Sequence, residues 1–183
     1  MTSFRRKLAT IVFLLIILTA SAMVVLGDKP PSAKFIQIDG RVSVNGASAI
    51  SGATVFSDST VTTAAKSSAV VSLGKLGRVE VMPDSTMKLS FTDSSVAVAM
   101  LEAGRVRVSS SSGTAATATT NDGEVVATGT ARNVFMIDTS CGNTFVAVGV
   151  GRVELRAGGT VKQIAAGSQD SAGTARPGCT RTP

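Results

Sequence analysis

The residues best equipped for chemistry are Ser85-Thr86-Met87-Lys88, which fit the S-x-x-K pattern in which a serine attacks and a lysine helps remove its proton. That chemistry needs the serine at a helix start, together with separate S-D-N and K-T-G elements. Here the tetrapeptide follows Pro83-Asp84 in strand-like sequence and neither partner element is present, so the match reads as chance. Gly149-Val150-Gly151-Arg152-Val153-Glu154 begins like a dinucleotide loop. Glu154 stands where the third glycine belongs, and no helical pattern follows to offer its N-terminus to a phosphate. The 183 residues include no His, which removes the commonest general base and the usual zinc ligand together. Two cysteines without histidine do not complete a structural zinc site, and the 12 carboxylates lack calcium-loop spacing. The sequence therefore reads as a non-enzyme, with no catalytic, metal or cofactor-binding residues.

The elements that would carry any site are strands. Hydrophobic residues make up 44% of the chain but aromatics only 4%, so the apolar mass is Val, Ala, Leu and Ile, a β-rich composition. Arg41-Val42-Ser43-Val44, Arg78-Val79-Glu80-Val81, Arg105-Val106-Arg107-Val108 and Arg152-Val153-Glu154-Leu155 alternate with period two and predict half-buried strands. Ser95 to Leu101 and Phe145 to Val148 are apolar on both faces and predict central strands covered on both sides. Turn signals lie between, at Asn45-Gly46, Asp84-Ser85, Asn121-Asp122-Gly123 and Cys141-Gly142-Asn143. The fold class expected is all-β, with short antiparallel-rich strands in a sandwich or twisted solenoid-like stack, preceded by one N-terminal transmembrane or signal helix.

Each of the four alternating runs follows a glycine, Gly40, Gly77, Gly104 or Gly151, at separations of 37, 27 and 47 residues. Those intervals are too irregular for a solenoid of fixed period but suit a sheet stack with unequal connections. Single exposed charges are the norm, so Arg41, Arg78, Arg105 and Arg152 read as solvent-facing; the alternative is a four-arginine binding face.

Arg5, Arg6 and Lys7 precede an uncharged run from Leu8 to Leu26. Its 19 residues approach the roughly 20 that span a bilayer, which favours an uncleaved anchor. The alternative is a signal peptide cut after Ala22, because Ala20-Ser21-Ala22 fits the small-x-small pattern. In both cases the three basic residues mark the cytoplasmic side and the rest of the chain lies outside, inner-membrane anchored or secreted. The organisation expected is an anchor or signal over 1–27, a spacer over 28–34, a β-domain over 35–167 and a loose tail over 168–183. In that compartment thiols tend to oxidise, and Cys141 and Cys179 are the two cysteines in the chain, so they predict a disulfide.

The formal charge of +6 falls to +3 without the N-terminal cluster and is spread singly along the chain. No basic stripe and no stacking aromatics are visible, so no nucleic acid is expected as a partner.

The order of residues from Phe35 to Ser168 resembles the FecR domain, the extracytoplasmic domain of iron-dicitrate-type transmembrane sensors. The likeness lies in Gly40-Arg41-Val42-Ser43-Val44, in the run from Ser51 to Leu89 with Gly52, Thr63, Ser68, Leu73 and Pro83, and in Leu101 to Val106. It continues through VVATGTARNVFMID around Gly129-Thr130 and Val148 to Val153. The resemblance implies an all-β domain and supplies no catalytic residues. Such regulators carry a cytoplasmic anti-sigma segment before the membrane span, whereas seven residues precede Leu8 here, so their regulatory mechanism is not carried over. The function expected is a non-enzymatic, membrane-associated envelope module that senses or binds another envelope protein. A structural accessory subunit held by its N-terminal helix, or a small-ligand sensor, is the alternative.

Overall fold

A computed structural model of the chain describes residues 32–181. The anchor reading, the topology residues Arg5, Arg6 and Lys7, and the cleavage positions Ala20 and Ala22 lie outside the described residues. The strands are β1 Ser32–Asp39, β2 Val42–Val44, β3 Ala47–Ser48, β4 Thr54–Phe56, β5 Ser59–Thr63, β6 Ser68–Ser72, β7 Gly77–Val81, β8 Ser85–Phe91 and β9 Ser95–Met100. They continue as β10 Arg105–Ser110, β11 Ala115–Thr119, β12 Glu124–Ala127, β13 Asn133–Asp138, β14 Thr144–Val150, β15 Arg152–Ala157, β16 Thr160–Ala165 and β17 Gln169–Ala172. A single 3-10 turn, Gly74–Leu76, is the only helical element among the described residues.

The strands form two sheets. The eight-stranded sheet runs β17-β14-β13-β10-β7-β6-β1-β4, and the nine-stranded sheet runs β16-β15-β12-β11-β9-β8-β5-β2-β3. The chain passes repeatedly from one sheet to the other, adding strands outward from the β3 and β4 edges toward β16 and β17. All strand pairs are antiparallel except β9 with β11, which are separated in sequence by β10 in the other sheet. Of the sandwich and the solenoid-like stack, the architecture is the first, a sandwich built by progressive zigzag.

Alternation drives this arrangement. In β8 Ser85, Met87, Leu89 and Phe91 face inward, and in β7 Val79 and Val81 do. The largest fully buried side chains, among them Phe35, Phe135, Met87, Leu89, Ile137 and Leu155, fill the space between the sheets. Burying each such side chain contributes about 1.5–3 kcal/mol against the conformational entropy of ordering the strands. The glycines that open the Arg-Val runs permit close backbone approach. A Cβ on Gly77, whose φ is 126°, would lie 1.9 Å from the Ser109 carbonyl oxygen, and one on Gly104 would lie 2.6 Å from Ser85 Cα.

Three expectations need correction. The strands read as covered on both faces are covered on one: in β9 Val96, Val98 and Met100 are buried while Ala97 and Ala99 are half-exposed, and β14 alternates likewise. A two-layer sandwich has one inner face per sheet, and alanine is small enough to tolerate the outer one. Residues 32–34, expected in the spacer, are already strand, because Ser32, Ala33 and Lys34 pair with Phe56, Val55 and Thr54. The tail expected from residue 168 is partly strand, since Gln169–Ala172 pairs with β14.

Apart from the 49–53 connection, which crosses along the β3–β4 edge, the crossings between sheets fall at two ends of the sandwich. The near end holds Ser32, the 56–59 and 73–77 connections, and the turns at 92–95, 111–114, 128–132, 150–152 and 166–168. The far end holds the connections at 39–42, 64–67, 82–84 and 101–104, the turns at 120–123 and 139–143, and the chain after β17.

Candidate functional site

Ser85 and Lys88 do not meet. Ser85 starts β8 facing inward and 1% exposed; its hydroxyl lies 3.1 Å from the Pro83 carbonyl oxygen and 3.2 Å from that of Arg105, and it accepts from the Arg105 N–H at 2.8 Å. Lys88, three residues on, faces the opposite side of the sheet and pairs with Asp58 at 3.1 Å. Hydrogen bonds from Lys88 and Ser90, with the Lys88 charge, hold the Asp58 carboxyl below its ordinary range. An odd spacing on a strand separates the two groups by the thickness of the sheet, so this lysine is not placed to take the serine's proton. Gly151 has φ 82° in the turn from β14 to β15, and a strand follows where a dinucleotide loop needs a helix. Among the described residues no cluster of three or more His, Cys, Asp or Glu is arranged to hold a metal ion.

The four arginines are not gathered on one face. Arg41 and Arg152 lie on the outer side of the nine-stranded sheet, beside β2 and on β15, six strands apart or about 29 Å at 4.8 Å per strand. Arg78 and Arg105 belong to the eight-stranded sheet, with Arg78 near one end of β7 and Arg105 near the opposite end of β10.

Cys141 and Cys179 are bonded, with Cα atoms 5.6 Å apart and 38 residues of separation. The bond joins the β13–β14 turn to the chain beyond β17, at the far end. Asp138, 0% exposed, organises the same place. Its Oδ2 accepts from Arg105 Nε at 2.9 Å and lies 2.8 Å from Arg105 Nη2, while its Oδ1 accepts from the Ser140 N–H at 2.8 Å and the Ser140 hydroxyl at 2.5 Å. Arg181 reaches over this cluster, 3.9 Å from Asp138 Oδ2, bonded to Asn143, with its guanidinium 4.8 Å from the centre of the Phe145 ring. Arg176 donates its backbone N–H to the Cys141 carbonyl at 2.8 Å and its side chain to the Ser140 carbonyl. The tail is therefore a folded cover over Phe145 and Asp138. Beside it lies a cleft of about 250 Å³ lined by Glu102, Asn121, Asp122, Thr139, Gly142 and Arg176.

The edge strands are the remaining feature suited to binding. Of the four, β3, β4 and β17 have two, three and four residues, whereas β16 has six. β16 has one neighbour, β15, and Val161 on it is 58% exposed. Lys162 is turned toward β17, where it bonds Asp170 at 2.8 Å and holds that carboxyl below its ordinary range. The Arg156 guanidinium, with Gln163, does the same for Glu154 on β15. Nothing in the sequence marks β16 as the end of its sheet, because the 150–166 pattern shows only a hairpin.

No protein-family model matches the chain, and no curated protein matches it significantly. Two crystal structures of a candidate anti-sigma factor from Parabacteroides distasonis ATCC 8503 are similar in structure, each with a TM-score of 0.48 and 18% identity, over 60% of this chain. The match spans 52% of that protein's length.

Proposed function

We propose that the protein is a non-enzymatic, extracytoplasmic β-sandwich module, held at a membrane by its N-terminal apolar run, that binds a protein partner by strand addition to β16. The observation that carries this reading is the six-residue open edge of the nine-stranded sheet, where the other edge strands among the described residues are two to four residues long. Short edges offer too few backbone groups to hold a partner strand, while a long one is a ready template. An inward-turned charge on an edge strand is a natural guard against pairing with unselected chains, and Lys162 has that position. The disulfide supports the extracytoplasmic half of the reading, because such bonds persist in oxidising compartments.

A photo-crosslinking residue at position 161 in native membranes tests the edge. The expected result is one discrete adduct from position 161 and none from position 90, on the outer face of β8 in the middle of the same sheet. An adduct that instead follows residues 1–27 when these are transplanted makes the chain a structural subunit held by its apolar run. Absence of any adduct, with a metabolite that raises the melting temperature, makes it a small-ligand sensor.

A further inference from the structure

The near end of the sandwich gathers charge that is scattered in sequence. Lys34 lies three residues into β1, Lys75 is in the 3-10 turn, Arg78 is the second residue of β7, and Arg132 and Arg152 stand in or beside the turns that precede β13 and β15. All five are exposed. Three carboxylates share this end: Asp93, Asp58, which is paired with Lys88, and Glu80, which is paired with Arg78 at 3.1 Å. The described residues as a whole carry 14 basic against 11 acidic side chains, a net of +3. With Lys88 counted beside its partner, six basic residues against three acidic ones put that same net charge at the near end alone. The far end is balanced, with Asp39, Asp84, Glu102, Asp122 and Asp138 against Arg41, Lys66, Arg105, Arg176 and Arg181.

Two apolar side chains protrude among these cations. Phe56 is 57% exposed and sits directly opposite Ser32 in the register of β1 with β4; Val150, 39% exposed, ends β14 beside Arg152. This is also the end at which the chain arrives from its N-terminal segment. From Leu26, the last residue of the apolar run, to Ser32 there are six Cα steps, which extend to about 20 Å at most. The polar region of each leaflet is roughly 5–8 Å deep, and the field of an anionic surface reaches about another 8–10 Å into physiological salt. Ser32, and with it the near end, therefore stands no more than about 20 Å along the chain from the end of the apolar run, a distance comparable with the reach of that surface.

We propose that the near end is a docking surface for anionic phospholipid headgroups, with Phe56 inserted at the interface and Lys34, Lys75, Arg78, Arg132 and Arg152 around it. The inference rests on the membrane-tether half of the proposed function and is independent of the β16 edge. Cations beside an exposed aromatic residue match a negatively charged, partly apolar interface. A second copy of the chain is a poorer occupant, because two like-charged ends repel.

The chain contains no Trp and no Tyr, so one introduced tryptophan is a clean reporter. Full-length Phe56→Trp and, as the far-end control, Val161→Trp are reconstituted in phosphatidylcholine vesicles with or without phosphatidylglycerol, each prepared with and without brominated lipid. The expected result is a blue-shifted emission from the Phe56→Trp protein, quenched by brominated lipid several-fold more than that of the Val161→Trp control. This difference should appear with phosphatidylglycerol, shrink without it and shrink in high salt. In the Lys75→Glu, Arg132→Glu form of Phe56→Trp, quenching should fall several-fold, since each basic residue at an anionic surface is worth about a fivefold change in partitioning. A reporter at position 56 as accessible to aqueous iodide as the one at position 161, in vesicles that float with the protein, overturns the docking surface and leaves the tether standing. Protein that does not float overturns the tether and the docking with it. A blue shift that persists in detergent and fades on dilution assigns the end to a second copy and also overturns the proposal.

Discussion

Replacing Cys179 by Ala is expected to lower the stability of the purified, oxidised domain by about 4 kcal/mol, from the unfolded-state entropy of closing a loop of 38 residues. For a chain of this size that corresponds to a fall in melting temperature of roughly 10 °C. The exposed cysteine is the better one to change, because Cys141 is 0% exposed and altering it would disturb packing as well. Beyond the global loss, residues 173–181 should become sensitive to trypsin at Arg181, the Arg176 bond being blocked by Pro177. Their remaining contacts, the Arg176 bonds to Cys141 and Ser140 and the Arg181 contact with Phe145, hold a segment that no strand pairing continues. Differential scanning calorimetry with limited trypsin digestion measures both. An unchanged melting temperature would mean that the far-end cover is held by its polar contacts alone.

Asp138→Ala is expected to cost about 3–4 kcal/mol, because it removes a fully buried carboxylate while leaving the Arg105 guanidinium, 17% exposed, in place. It also strips the Ser140 N–H and hydroxyl of their acceptor. The figure lies toward the low end of the range for a broken buried pair, since water can reach Arg105. Guanidinium unfolding of the wild type and the variant, both oxidised, gives the difference from the midpoints. Because Asp138 and the disulfide support one tail, the double variant Asp138→Ala, Cys179→Ala should lose less than the sum of the two single losses. Strict additivity would mean that the carboxylate and the cystine stabilise separate parts of the structure.

The strands were legible in the sequence because period-two burial leaves a direct trace: Val42, Val79, Val106 and Val153 each sit inward beside an arginine on the opposite face. Arg105, however, read as solvent-facing, is 17% exposed because it pairs with buried Asp138. The same trace is silent about which sheet a strand joins. Arg41 and Arg152 went to one sheet and Arg78 and Arg105 to the other through connections whose direction alternation does not encode. β17 was missed because Gln169-Asp170-Ser171-Ala172 has no apolar alternation and is held by backbone pairing with β14. The cystine was legible from composition, but its setting was not: nothing in the spacing of Arg105, Asp138, Ser140 and Arg181 shows that they converge. The basic near end is the clearest case. Lys34, Lys75, Arg132 and Arg152 are isolated in sequence, and only the common position of strand ends brings them together. Composition and period therefore led to the compartment and class expected, while the surfaces proposed for binding arise from topology.

The compartment is the claim on which both the partner edge and the lipid-facing end depend, and the oxidation state of the two cysteines in growing cells tests it most directly. Cells expressing the full chain are quenched in acid, free thiols are alkylated with a mass-shifting maleimide under denaturing conditions, and the chain is resolved with and without prior reduction. An extracytoplasmic domain should show no adduct before reduction and two adducts after it. Two adducts without reduction would contradict that placement and put the domain on the reducing side of the membrane.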